Sequence, residues 1–312
     1  MQSDGRRIRM STILDSLIVS EIQSLAVDAA CGAGQILKSY FGSQIQVDYK
    51  GKGQSDPVSV ADTESQAYLE NRIKDKFSDH GILGEEDKRP KDTPAPDIVW
   101  VLDPLDGTRN FVGGLPIYAC SVGVLFKGRP VVGAIYIPWP NESGAIIVSG
   151  KKGDGSRIGS DSVSVFDADA PSSNLMIGLP SSFRSSYKFD KIDKNRKKGV
   201  GEVRVIGSIA YEMAITAMGI YQYSFVASGR LWDVAAGVLI VNEAGGQTLV
   251  GVSNSETEKN SGKILKWEKL ESFFPEFTSG VTTLEDMRSW SLPLLVGGSG
   301  VTSSIAGSLR KK

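Results

Sequence analysis

The sequence predicts an α/β chain of the mixed α+β kind, and three observations carry that expectation. Apolar residues recur at helical spacing in two early stretches, 13–41 and 62–77. Short β-rich runs separated by turn residues follow between 98 and 150. Beyond residue 200, strand-like and helix-like segments alternate.

Residues 1–11 carry basic side chains with no apolar stretch of signal-peptide length behind them, and they are expected to form a loose tail. In the first helix Leu17, Ile18, Ile22, Leu25, Ala26 and Ala29 make one apolar stripe, which Phe41-Gly42 ends. The segment IQVDYKGKGQSDPVS (45–59) is rich in Gly, Lys and Ser and is expected to be a loop. Tyr68, Leu69, Ile73 and Phe77 share a face of the second helix. GILGEED (81–87) reads as a short strand running into acids, and KRPKDTPAPD (88–97) as a surface connector.

Four strands follow: IVWVLD (98–103), ACSVGVLF (119–126), VVGAIYIP (131–138) and GAIIVSG (144–150), with KGRP (127–130) as a hairpin turn. GEVRVI (201–206) and YSFVAS (223–228) are strands. SIAYEMAITAMGI (208–220) and WDVAAGVLIVNEAGG (232–246) are helices, the second stopped by Gly245-Gly246. Residues 253–277 are polar and then amphipathic, with an open role, and SLPLLVGGSG (291–300) is expected as a last core strand. The Gly/Ser-rich stretch after residue 149 divides the chain into halves, 12–150 and 151–312.

Lys+Arg 35 against Asp+Glu 36 leaves a formal net charge of -1. Bulk charge therefore offers no attraction to nucleic acid or to an anionic membrane, and the expected partner is a small molecule. The longest apolar runs look too short to span a bilayer. Cys31 and Cys120, the only cysteines, make no disulfide framework and point to a reducing, cytoplasmic setting. With His80 the only histidine, a zinc site is not expected either; a metal here would be hard and oxygen-ligated.

The chemistry concentrates in acids. Asp103 and Asp106 sit where the run IVWVL ends, with Pro104, a strand breaker, between them. Asp-Pro-Leu-Asp-Gly is also a good β-turn, with Asp106 as a cap. If a helix begins at Gly107-Thr108, its free N–H groups face the same space as the carboxylates and favour an anion there. Carboxylates beside an anion site repel that anion unless a divalent cation lies between them. Glu85 and Glu86 follow a short strand, and Asp233 opens an apolar helix whose Ala235, Ala236 and Gly237 permit close packing. Each has a plain alternative, a solvated turn or a helix-start acid. Asp62 is either a helix-start acid or an acceptor for a hydroxyl such as that of Thr108.

Taken in order, DPVSVAD (56–62), GEE (84–86), WVLDPLDGTRNF (100–111), Gly207-Ser208 with Ala210, WDVAAG (232–237) and NEAGG (242–246) resemble the inositol monophosphatase family, within the superfamily that includes fructose bisphosphatases and 3′-phosphonucleotide phosphatases. The resemblance implies a layered α-β-α-β-α sandwich, a homodimer and a Mg²⁺-dependent phosphomonoesterase with two or three ions per site, Mn²⁺ being a substitute. It assigns Glu85, Asp103 and the Leu105 carbonyl to one metal, and Asp103, Asp106 and Asp233 to a second. Glu85 also helps position a third ion and so counts with Thr108 and Asp62 as catalytic. Gly107 and Thr108 meet the phosphate through backbone N–H groups, with Asp106 and Ser208 beside it, and Thr108, held by Asp62, orients the attacking water.

The chain departs from the family at Val226. Members that use inositol phosphate well place a glutamate there, seven residues before the WD aspartate. Arg230 is a candidate for a second substrate anion, and Lys50 and Lys52 for a basic loop over the phosphate. The expected reaction is hydrolysis of a small polyol, sugar or amino-alcohol phosphate, inositol and histidinol phosphates included. The alternatives are a bisphosphate phosphatase acting on 3′-phosphoadenosine 5′-phosphate or fructose bisphosphate, and a non-catalytic regulatory protein that binds metal and phosphate.

Overall fold

The computed structural model describes residues 15–43, 47–50, 56–87, 93–190, 199–253 and 265–312. The expected tail and Lys52 lie outside the described residues, as does the side chain of Lys50.

Helix α1 (Ser16–Tyr40) starts at Asp15, whose side chain accepts the Leu17 N–H at 2.9 Å. Its buried stripe runs from Ile22 to Leu37; Leu17 and Ile18, expected in the stripe, are exposed. By length and composition α1 is apolar enough to cross a bilayer, contrary to the expectation of no such run. Here that apolar face packs inward. The expected loop over 45–59 instead contains an antiparallel pair, β1 (Val47–Lys50) with β2 (Asp56–Ser59), in which Val47, Tyr49 and Val58 supply strand-favouring residues. Helix α2 (Val60–Lys76) follows.

A seven-stranded sheet comes next: β3 (Gly81–Gly84), β4 (Ile98–Asp106), β5 (Ala119–Phe126), β6 (Arg129–Pro138), β7 (Ala145–Lys151), β8 (Ser156–Ile158) and β9 (Asp161–Ser162), in that spatial order. β3 runs parallel to β4, and the other pairs are antiparallel. The division placed at residues 150 and 151 falls inside β7, and β8 and β9 complete the same sheet. Between β4 and β5 lies the short helix α3 (Thr108–Val112).

β4 does not stop at Asp103. It runs past Pro104 with a register shift: Asp103 pairs with Ser121 and Asp106 with Ala119, which leaves one extra residue on the β4 side. The expected β-turn is therefore a bulge. Pro104, which has no N–H to offer the ladder, occupies it without loss.

The second half builds a six-stranded sheet. Its strands are β10 (Met176–Gly178), β12 (Glu202–Arg204), β13 (Tyr223–Val226), β14 (Gln247–Ser253), β15 (Leu265–Lys269) and β16 (Leu294–Gly297), in the order β12-β10-β13-β16-β14-β15. Around it lie α4 (Phe183–Ser186), α5 (Ile209–Ala217), α6 (Leu231–Glu243), α7 (Leu284–Ser289) and α8 (Ser299–Ala306). β11 (Tyr187–Phe189) pairs with β17 (Leu309–Lys311), so the chain continues beyond the expected last strand through α8 and β17.

The strand period of two sorts the core into layers. Trp100 and Leu102 of β4 face α1 and α2 in one cluster, while Val99 and Val101 face α5 and α6 in the next. Phe225 and Leu295 of the second sheet turn away from α5 and α6 toward Val301 and Ile305 of α8. The architecture is thus an α-β-α-β-α sandwich. His80 belongs to this packing: it stacks on Phe77 at 4.5 Å between centroids and accepts the Trp100 indole N–H at 3.0 Å.

Candidate active site

Elements far apart in the chain deliver carboxylates to one place. Glu85 follows the end of β3, where its N–H donates to Leu102 O at 3.0 Å. Asp103 and Asp106 flank the bulge of β4. Asp233 stands in the first turn of α6 and accepts the Arg230 N–H at 2.7 Å. α6 seats deeply enough to bring Asp233 there because the facing residues are small. A Cβ on Gly123 would stand 2.9 Å from that of Ala235, one on Gly133 2.6 Å from Ala236 O, and one on Gly237 2.6 Å from Met213 Cβ. Glycine at these places is required by close approach.

Asp103 is 1% exposed. Burial, and then the charges of Glu85, Asp106 and Asp233, push its carboxyl well above the usual range. Asp233 is pushed up in the same direction by burial first and Asp106 second. Asp103 is thus within electrostatic reach of Glu85, Asp106 and Asp233 at once. Asp106 is raised to about 6 by burial, although Ser208 Oγ at 2.7 Å and the Ala210 N–H at 2.5 Å donate to it at the N-terminus of α5.

Among the described residues no three acidic, histidine or cysteine side chains stand ready in metal-ligand geometry. The electrostatics nevertheless fit a divalent cation. The donors are carboxylates and a neighbouring carbonyl, Leu105 O, all hard oxygen. Their ionisation is opposed mainly by burial and by one another, and a shared double positive charge offsets both.

Asp62 is 1% exposed and is raised to about 6, chiefly by burial. Its Oδ2 accepts from Ser59 N and Oγ at 2.8 and 2.6 Å, the capping pattern of α2. Its Oδ1 lies 3.2 Å from the Thr108 hydroxyl, which also reaches Leu105 O at 3.0 Å. The helix-start acid and the hydroxyl acceptor are therefore the same group. Gly107 takes φ 92°, and a Cβ there would meet Ile117 O at 3.0 Å, so both conformation and space demand glycine. Asn110 locks α3 in place by donating to Ile117 O and Ile206 O, each at 2.7 Å.

Ser208 and Arg230, both expected near substrate, have roles within the fold as well, and Ser208 also lines the cavity beside Asp106. Ser208 caps α5 and directs its hydroxyl to Asp106. Arg230 is exposed at the start of α6, and its backbone N–H is what holds Asp233.

A cavity of about 280 Å³ opens beside Asp106. Its walls are apolar side chains such as Leu179, Ile209 and Val226, with Ser181 and Ser228, and no Lys or Arg is among the lining residues described. Glu212 of α5 also lines it. Burial raises that carboxyl to about 8, opposed by the Ile206 N–H at 3.5 Å. Glu212 is not among the sequence-based candidates, yet it carries a signal: it is the one charged residue in the apolar helix IAYEMAITA. Arg288, Gln66 and Asn110, which brace the surrounding backbone, gave no comparable signal.

Comparison with known proteins bears on the family and the fold. The sequence pattern of the inositol monophosphatase family matches residues 18–267. A fructose-1,6-bisphosphatase/inositol-1-monophosphatase of Aquifex aeolicus is 34% identical over 226 residues, which is 72% of this chain and 83% of the relative. A Nus factor SuhB of Escherichia coli K12 is 32% identical over 225 residues, covering 72% of this chain and 82% of the relative. Among solved structures, an IMPase of Thermotoga maritima superposes with a TM-score of 0.67 over 92% of this chain and 96% of that one. At 23% identity that likeness is one of fold.

Proposed function

Because this chain belongs to the inositol monophosphatase family, we propose that it hydrolyses a small phosphate monoester with Mg²⁺, and that Glu85, Asp103, Asp106, Asp233 and the Leu105 carbonyl hold the metal. The observation that carries the reading is the crowding of four carboxylates, two of them pushed well above their ordinary range. Held by these residues, Mg²⁺ would supply charge neutralisation of the ester dianion, a more acidic bound water and shielding of the departing oxygen. Mn²⁺ is the expected substitute.

The chain's own residues supply the rest. Asp62 Oδ1 takes the Thr108 hydroxyl proton in a hydrogen bond, which leaves the Thr108 oxygen free to accept from a water and hold it for in-line attack. Gly107 and Thr108 offer backbone N–H groups at the mouth of α3 to phosphate oxygens, with Asn110 fixing that helix. The cavity beside Asp106 receives the alcohol. With Glu212 in its wall and no lining cation among the described residues, it suits a neutral or amine-bearing alcohol, such as that of histidinol phosphate, better than a second phosphate. Valine at 226 gives no acceptor for inositol hydroxyls.

This chemistry weighs against the bisphosphate reading despite the name of the Aquifex relative. Purified protein is expected to release phosphate from several monoesters with Mg²⁺ and to stop with EDTA. Silence across a broad panel with metal present rejects the proposal. A regulatory, non-hydrolysing role draws support from the Nus factor relatives; calorimetric binding of phosphate esters without turnover would favour it.

We also infer a homodimer. β12 is an edge strand, and Val203 and Val205 on and beside it are exposed at 47% and 55%. Sedimentation at monomer mass would refute this.

A further inference from the structure

Arg288 stands where two acid-bearing segments meet. Its Nη2 donates to Gly84 O at 2.5 Å and its Nη1 approaches Glu85 O at 3.4 Å. Its guanidinium carbon lies 5.0 Å from the centroid of the Trp232 ring. Glu85 and Asp233, the residue after Trp232, come from the two halves of the chain. One planar cation thus grips the backbone at one acid and the side chain next to another.

The root of Arg288 is fixed. α7 begins at Thr283, which exchanges hydrogen bonds with Asp286 in a capping box: Asp286 Oδ2 accepts Thr283 N and Oγ1 at 2.8 Å, and Thr283 Oγ1 accepts Asp286 N at 3.1 Å. The segment before it pairs with the connector ahead of β4, through Ala95 N to Thr282 O at 2.8 Å and Leu284 N to Thr93 O at 2.9 Å. Met287 is fully buried, and Trp290 packs edge-on to Phe273 at 4.9 Å. The strap from β15 to α7 is therefore held at several points before it presents Arg288 to the site.

The turn at Glu85 has a matching brace on its other side. Gln66 Oε1 accepts the Glu86 N–H at 3.0 Å, and its side chain fills the space a Cβ on Gly84 would take. Gln66 and Arg288 hold the turn between α2 and α7. A lysine at 288 would keep the charge but lose both the two-pronged donation and the planar guanidinium over the Trp232 ring.

We propose that Arg288 is a positioning residue of the metal centre, setting the distance between Glu85 and Asp233 by clamping the Glu85 turn against Trp232. This rests on the metal-dependent reading above. It goes beyond that reading by giving the strap, whose role the sequence left open, a part in the site. Arg288, a cation, is not itself a metal ligand. It acts through the backbone carbonyls and the indole it holds. Partners of this outer kind change metal affinity about 10- to 100-fold when removed.

The test is Mn²⁺ binding followed by electron paramagnetic resonance on the full chain, without substrate, for wild type, Arg288→Ala and Arg288→Lys, with thermal melting beside it. Arg288→Ala is expected to weaken Mn²⁺ binding about ten-fold, and Arg288→Lys to recover less than half of that loss in logarithmic terms. A clamp predicts that ordering whether or not melting also shifts. Wild-type Mn²⁺ affinity in a folded Arg288→Ala overturns the proposal, and so does full recovery in Arg288→Lys, which would make the effect one of charge alone. If Arg288→Ala does not fold, Arg288→Lys decides by itself: weakened binding supports the clamp and unchanged binding overturns it. A wild-type protein that binds no Mn²⁺ defeats the metal-centre reading instead, which separates the two failures.

Discussion

The carboxylate crowd and the cavity beside it meet at Asp106 and are made of opposite materials. On one side Glu85, Asp103, Asp106 and Asp233 press like charges together in a buried space. On the other, Leu179, Ile209, Val226 and a few serines line ordinary protein wall, with Glu212 as its carboxyl besides the shared Asp106. The crowd is intolerable without compensation, so its residue types are tightly constrained by the reaction. The wall tolerates many side chains of similar size. On the proposed function the difference teaches where specificity would reside: reaction class in the costly residues, substrate choice in the cheap ones.

The widest separation of the two regions comes from Asp103→Asn. Loss of one shared ligand removes several kcal/mol of charge stabilisation in the transition state, so kcat is expected to fall roughly 10³-fold for every ester tested. Metal-free protein should at the same time melt higher than wild type at pH 8, because one of the repelling charges is gone. Near-wild-type turnover would remove the crowd from the chemistry. Thr108→Ala comes next. With its hydroxyl absent, water is held less well, and kcat should fall about 10²-fold while Mn²⁺ affinity stays put. An unchanged rate would sink the Thr108 and Asp62 pairing as a water-orienting device.

The crowd also gives stability a sign with pH. Asp62 and Asp106 rise from 3.8 to about 6, and Glu212 from 4.5 to about 8. Acids raised in the folded state bind protons more tightly there than in the unfolded chain. Their contribution is full below the unfolded values and is lost as pH rises through the folded ones. For Asp62 alone the shift corresponds to roughly 3 kcal/mol, a large part of an ordinary stability of about 5–15 kcal/mol. Calorimetry in EDTA should therefore show the melting temperature falling from about pH 4 to pH 8, and Mg²⁺ should restore it most at the high end. A flat metal-free profile would mean that the acids are already compensated by the fold.

Reading the sequence reached the crowd more readily than the wall, for physical reasons. Each acid stands at a strand end or a helix start, where turn chemistry marks it; the apolar periodicities gave helices and strands, and the layers and the grouping of the acids came from the family resemblance. The bulge at Pro104 was missed because a proline that breaks a strand interior is harmless where the partner offers no matching acceptor. The expectations for Ser208 and Arg230 gave nearness to the site but not side-chain direction; in the fold Ser208 caps α5 and bonds Asp106, and Arg230 holds Asp233 through its backbone N–H. Arg288 was invisible. Its partners are two backbone carbonyls and the face of an indole, which no pattern of residue types encodes, and its approach depends on a strap docked by main-chain hydrogen bonds.

The smallest effect tests the wall itself. Glu212→Gln keeps the volume and the Ile206 contact but removes the ionisable proton and the capacity for negative charge. An amine-bearing alcohol entering the cavity would draw Glu212 into its charged form, whereas a minimal ester such as methyl phosphate would not reach it. Glu212→Gln should therefore lower kcat/KM for amino-alcohol phosphates about ten-fold, the scale of one desolvated charged hydrogen bond. Most of that loss should lie in KM, and methyl phosphate should be nearly unaffected. If both esters lose activity equally, Glu212 serves Asp106 from behind and does not read the alcohol. If neither changes, the cavity is not where the alcohol lies, and the division between a crowd that sets the reaction and a wall that sets the substrate has to be drawn along another surface.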